Sequence, residues 1–228
     1  MEIKPIAYFR SPFPGKFGVP RQAGLAPAVK GRIVFEPEFR NPDALRGLEG
    51  FDYIWLIWEF SANLVSGPFQ ATVRPPRLGG NARVGVFASR SPFRPNPLGL
   101  SSVRLESIDY EAKDSDGRPI GPVINVLGAD LMDGTPIYDI KPYIEYADSH
   151  PGVRSGFVDT SAWEPLQVEF PIGAEETIPD LDTLREVLSL DPRPSYQDDP
   201  SREYGMSFGG REVRFKVSGR LLTVLSIK

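Results

Sequence analysis

The run Tyr53-Ile54-Trp55-Leu56-Ile57-Trp58 is aromatic and β-branched, with apolar side chains at both parities. Such residues fit a pleated surface better than a helix, and the run suits a strand covered on both faces. Similar stretches lie on either side. Ile3 to Phe9 leads into Arg10-Ser11-Pro12, and Gly31 to Phe35 follows. Downstream come Val84 to Phe87, Ser101 to Tyr110, Val123 to Leu127 and Pro136 to Ile140. Asp116-Gly117 marks a hairpin turn before Pro122. Ala44 to Leu48 has room for one helical turn. Many short strands joined by Pro/Gly connections predict a mainly β fold, a closed or nearly closed barrel.

The tail changes pattern. Leu181, Leu184, Val187 and Leu188 fall at helical spacing after Pro179, and Asp191-Pro192-Arg193-Pro194 ends the helix. Val213, Phe215 and Val217 alternate, Ser218-Gly219 turns, and Leu221 to Ile227 returns as a second strand. The expected organisation is a barrel over residues 1–160 and a small α+β appendage over 161–228. The polar stretch Ser149 to Thr160 is the expected hinge.

Composition removes several chemistries. The 228 residues include no Cys and one His, His150. Disulfides, thiolate zinc sites, cysteine nucleophiles and multi-His metal sites are excluded, so no metal is expected. No apolar run approaches the ~20 residues of a membrane span, and Met1-Glu2-Ile3-Lys4 does not open a signal peptide. A soluble cytoplasmic protein is expected. Gly79-Gly80-Asn81-Ala82-Arg83 lacks the Lys-Ser/Thr of a P-loop, and no G-x-G-x-x-G opens a helix.

Charge is unevenly spread. The chain carries −4, yet Phe60 to Leu105 contains no Asp, Glu or Lys and six arginines: Arg74, Arg77, Arg83, Arg90, Arg94 and Arg104. The planar guanidinium binds carboxylate or phosphate through two hydrogen bonds, which points to an anionic partner. The alternative is that these side chains bond backbone carbonyls in irregular loops.

Within that window, Arg90-Ser91-Pro92-Phe93-Arg94-Pro95-Asn96-Pro97 is stiffened by three prolines and presents Arg90, Arg94 and Asn96. The turn Asp130-Leu131-Met132-Asp133-Gly134-Thr135-Pro136 is a second candidate, although Asp-Gly is a sound turn on its own terms. Asp139, Lys141 and Tyr143 share one strand face by period two. They could orient and deprotonate a substrate, or form a solvated Asp–Lys pair. Pro20-Arg21-Gln22 sits in a shaped loop before Gly24.

These stretches, with Arg46-Gly47-Leu48-Glu49-Gly50-Phe51, Val73-Arg74-Pro75-Pro76-Arg77-Leu78-Gly79-Gly80 and Asp139-Ile140-Lys141-Pro142-Tyr143, resemble the TsaA-like (YaeB/TrmO) family. The tail resembles the family's longer bacterial form through Arg185-Glu186-Val187-Leu188 and Asp191-Pro192-Arg193-Pro194-Ser195-Tyr196. The resemblance implies a single-sheet β-barrel methyltransferase that uses S-adenosylmethionine (SAM), acts as a homodimer, and methylates N6 of threonylcarbamoyl-adenosine at position 37 of tRNA. Implied cofactor contacts are Pro20, Arg21, Gln22, Ser61, Ala62, Arg90, Leu100, Asp130, Leu131, Asp133, Gly134 and Thr135. Relatives often carry His where this chain has Ser61.

The residue chemistry agrees. Arg90 or Arg21 can hold the SAM carboxylate, and Asp133 its ribose or ammonium. Asp139 is the expected base, Lys141 and Tyr143 the orienting groups. Arg74, Arg77, Arg94 and Asn96 are expected to face tRNA. Two other readings share the cofactor loop. A methyltransferase of another substrate would not need the arginines, and a non-catalytic SAM sensor would not need the Asp139 face.

Overall fold

The computed structural model describes residues 2–63, 67–78, 82–161, 163–174, 180–194, 197 and 199–228. Met1, Gly79, Gly80, Asn81, Pro179, Ser195 and Tyr196, singled out above, lie outside them.

Six strands close into an antiparallel barrel. Their order is β1 (Ala7–Arg10), β2 (Lys30–Phe35), β7 (Val123–Leu127), β6 (Leu98–Asp109), β3 (Tyr53–Glu59) and β8 (Pro136–Pro142), which pairs back to β1. Alternate residues fill the interior. Phe9, Ile33, Ile54, Leu56, Val103, Ile124 and Ile137 are buried. Tyr53, Trp55 and Ile57 lie at the opposite parity of β3 and remain exposed or half-buried. Cover on both faces of this strand, expected from its sequence, is therefore incomplete: a barrel has one dry interior, and the outer aromatics pack on each other. Tyr143 lies 5.7 Å from Trp55 and 6.2 Å from Tyr53, ring centre to ring centre.

Two glycines admit large rings. A Cβ on Gly31 would lie 2.1 Å from the Phe9 ring, and one on Gly99 would lie 2.3 Å from Trp58. Gly99 pairs with Trp58 across β3–β6, so its missing side chain lets the indole lie against the barrel wall.

Several expected strands shift. The first begins at Ala7 rather than Ile3, because Lys4 turns out to pair with Glu38. The strand expected at Val84 to Phe87 is shorter. β4 (Thr72–Val73) and β5 (Val84–Gly85) form a two-stranded ribbon, and Val86–Ala88 is a 3₁₀ turn. The aromatic run and the strand after Thr135 extend to Glu59 and Pro142. The helical turn expected near Ala44 is a pair of 3₁₀ turns, Pro42–Leu45 and Leu48–Gly50, followed later by the short helix α1 (Glu145–Asp148).

A second sheet holds β10 (Tyr204–Phe208), β11 (Arg211–Ser218), β12 (Leu221–Ile227) and, parallel to β12, β9 (Gln167–Glu169). Helix α2 (Leu181–Ser189) packs on it; its N-cap Asp180 accepts from the Thr183 N–H at 3.3 Å. Val213, Phe215 and Val217 are buried, as their alternation requires. Leu184, Val187 and Leu188 bury the apolar stripe of α2 against them.

This second core also contains Phe13, Ala26 and Val29, from the loop between β1 and β2. Met206 lies where a Cβ on Gly18 would sit, and the Ala28 N–H donates to Glu186 of α2 at 3.0 Å. The loop after β1 is thus seated on residues more than a hundred positions away.

Candidate active site

A cleft of about 1730 Å³ opens where this loop meets the barrel wall and the arginine-rich segment. From the loop come Pro20, Arg21 and Gln22. The end of β3 contributes Trp58 and Glu59, and the following 3₁₀ turn Ser61–Asn63 contributes Ser61 and Ala62. Arg90 and Leu100 also line it, with Asp130 and Thr135 from the turn before β8. Nine of the expected cofactor contacts thus line one cavity.

A hydrogen-bonded relay forms part of its wall. The indole N–H of Trp58 donates to Ser101 Oγ at 3.0 Å, and the Ser101 hydroxyl donates to Asp130 Oδ1 at 2.6 Å. Burial pushes the Asp130 carboxyl above its ordinary range; the Ser101 bond and the Arg90 charge pull it partly back. Arg90 in turn donates to the Gln22 side-chain oxygen, joining loop to wall. At the rim, Tyr138 donates to Glu59 at 2.6 Å. Burial, and then that carboxylate, push the phenol up to about 12.

Other expected residues lie elsewhere. Leu131 is buried in the barrel core, where an apolar side chain is driven. Asp133 turns to the β1 end: it accepts from the Ser11 N–H at 3.1 Å and faces Arg10 at 3.6 Å. Gly134 has φ +75°, and its N–H bonds Phe9, so its role is the turn. These three therefore do not line the cleft; of the turn's residues, Asp130, Met132 and Thr135 reach it. Asn96 is exposed and is not part of the lining.

Arg74, Arg77 and Arg94 line the cleft. Arg94 also bonds the backbone carbonyls of Val86 (3.3 Å) and Ser89 (2.7 Å). Arg21 bonds those of Asp191 (3.4 Å) and Arg193 (3.3 Å). For these two, the loop-bracing alternative holds in part.

Asp139, Lys141 and Tyr143 do share one face, opposite Ile57, Trp55 and Tyr53. Asp139 pairs with Lys141 at 3.0 Å. None of the three lines the cleft, although Trp55, which touches Tyr143, does.

The sequence did not mark Trp55, Trp58, Glu59, Phe69 and Phe87, which also line the cleft. Nor did it mark Ser155, Phe157 and Val158 of the expected hinge, which fold against it. The signal available was Trp58-Glu59-Phe60 directly before Ser61; the rest depends on tertiary placement.

Comparison with known proteins agrees in every part of the chain. Residues 8–149 match the family model for the tRNA-methyltransferase O N-terminal domain, and residues 164–228 match the TrmO C-terminal domain. A tRNA (adenine(37)-N6)-methyltransferase of Escherichia coli K12 is 37% identical over 100% of this chain and 97% of that protein. One from Eikenella corrodens is 41% identical over 73% of this chain and 91% of its own. A crystal structure of TrmO from Pseudomonas aeruginosa superposes with a TM-score of 0.77 at 31% identity, covering 100% of this chain and 98% of that one. On these grounds the chain belongs to the tRNA-methyltransferase O family.

Proposed function

We propose that the protein methylates N6 of threonylcarbamoyl-adenosine at position 37 of tRNA, with SAM as the methyl donor, in the cytoplasm. The observation that carries this reading is the cleft. In a chain alike over its full length to an adenine-37 N6 methyltransferase, it combines a partly buried polar relay, an apolar wall and an arginine-rich cationic rim.

The residues present fit SAM, which supplies an electrophilic methyl group when bound. Arg90 offers a guanidinium to its carboxylate, Asp130 an acceptor to its ammonium or ribose, and Leu100 an apolar cover for adenine. Ser61 offers a hydroxyl where relatives often carry a ring. The chain's main task is alignment, since displacement at carbon needs nitrogen, methyl and sulfur in line. Arg74, Arg77 and Arg94 hold tRNA phosphates. Residues 1–160 carry this chemistry, and residues 161–228 brace the loop that carries Pro20 to Gln22.

The urea-like target nitrogen must lose its proton. Asp139 is assigned as the acceptor, with Lys141 and Tyr143 orienting the carbamoyl group. One observation favours a second reading of the acceptor: Glu59 lines the cleft and is held by Tyr138, whereas Asp139 does not line it.

The test is a single-turnover assay of purified protein with SAM and tRNA from cells lacking it, read by nucleoside mass spectrometry. Wild type is expected to form the methylated threonylcarbamoyl nucleoside; its absence overturns the function. Asp139→Asn is expected to slow transfer about 10²–10⁴-fold with intact binding. A rate within about threefold of wild type, with Glu59→Gln slowed instead, moves the base to Glu59.

A further inference from the structure

The β4–β5 ribbon leads into two phenylalanines. Thr72 pairs with Gly85 and Val73 with Val84, and the Val86 N–H donates to Ala71 at 3.0 Å. This pairing brings Phe69 and Phe87, one from each arm, to the same end. Their rings are near-parallel, 26° apart in plane and 6.2 Å centre to centre. Phe69 is 57% exposed and Phe87 73% exposed. Both line the cleft. Two phenylalanine rings left this open lose the benefit of burial, and their stacking on each other does not restore it.

Their surroundings are cationic and stiff. Arg94 sits 5.8 Å over the Phe87 ring, its guanidinium fixed by the two carbonyls it bonds. Arg83 is tied to Thr72 at 3.2 Å, and Arg74 and Arg77 continue the same rim. Val86, beside Phe87, is buried and anchors the turn. No acid or lysine occurs from Phe60 to Leu105. A membrane or peptide groove would call for a broader apolar surface. Open π faces beside a row of arginines match a single-stranded nucleic acid, whose bases stack and whose phosphates pair with guanidinium.

We infer that Phe69 and Phe87 form a stacking platform for an unpaired anticodon-loop base flanking the target adenine, with Arg94 positioned for the adjoining phosphate. The inference rests on the tRNA reading above and deepens it. The platform splays the loop, so that adenine 37 enters the cleft while its neighbour is held outside.

The probe is a tRNA carrying 2-aminopurine next to adenine 37, whose fluorescence falls when the base stacks. Wild type is expected to quench it on binding. Phe87→Leu is expected to abolish the quench and weaken tRNA binding roughly 5- to 100-fold, leaving SAM affinity unchanged. Phe69→Leu acts in the same direction, and Phe87→Trp keeps both quench and affinity. High exposure of Phe87 means the leucine variant keeps its core, which a thermal melt verifies. Normal quench and affinity in Phe87→Leu, against an active wild type, overturn the platform alone. A change of molecular mass by light scattering with unchanged tRNA affinity also overturns it, because the rings then belong to a contact between copies. A wild type that neither binds nor methylates tRNA overturns the functional reading, and the platform with it.

Discussion

Asp130 shows how one half-buried carboxyl ties stability to the site. Its folded-state pKa is raised above 3.8, chiefly by burial. The folded protein therefore holds this proton more tightly than the unfolded chain. Stability falls as pH rises from 3.8 through the folded-state value, and the loss is complete above it. Asp130→Asn keeps an oxygen for the Ser101 hydroxyl but has no charge to desolvate. It is expected to raise the thermal midpoint at neutral pH and to lose that gain in acid below the ordinary carboxylate range. SAM binding should weaken in parallel. Thermal melts across pH test this; a gain that does not depend on pH, or a loss at neutral pH, refutes it. At this scale the sequence was a mixed guide. Of the expected cofactor contacts, Arg90 and Asp130 line the cleft, while Leu131 and Asp133 face away. A turn's residue list does not reveal which positions point inward, because that depends on how β8 joins the barrel.

Between elements, the decisive contact is the register of β3 against β6. It places Trp58 over Gly99 and brings the indole N–H to Ser101, two residues along the same strand. Gly99→Ala is expected to force the indole outward. Overpacking of this kind costs about 1–3 kcal/mol, which corresponds to a loss of roughly 2–12 °C in Tm for a chain of this size. SAM affinity should fall as well, since the relay to Asp130 is disturbed. A stable variant with unchanged SAM affinity in calorimetry would show that the register carries neither role. Most strands were legible because alternation such as Val213, Phe215, Val217 encodes a face directly. The β4–β5 ribbon was not: two residues per arm are too few for any period, and Phe87 reads as strand until its backbone is seen in a 3₁₀ turn.

At the scale of the whole molecule, one group of exposed apolar side chains lies beside the cleft. Tyr53 is 45% and Leu100 57% exposed, on the same outer wall as Trp55. We expect this wall to border the interface of a homodimer. Light scattering should then give twice the 25.3 kDa chain mass, and activity per chain should fall on dilution below the dimer dissociation constant. A monomer fully active at nanomolar concentration would refute this. The barrel was legible in the sequence and the shared second core was not, because nothing local distinguishes Phe13, Ala26 and Val29 from ordinary loop residues.

That shared core bears on how the protein is made. Chains emerge from the ribosome N-terminal end first. The last barrel strand, β8, ends at Pro142, so the six-stranded closure can form while β10 to β12 are still untranslated. The loop carrying Pro20 to Gln22 cannot settle then, since Phe13, Ala26 and Val29 await Leu188, Met206, Phe215 and Val224. On the proposed reading of that loop, a nascent barrel closes before its cofactor loop is seated, and seating waits for the strands that complete the second core.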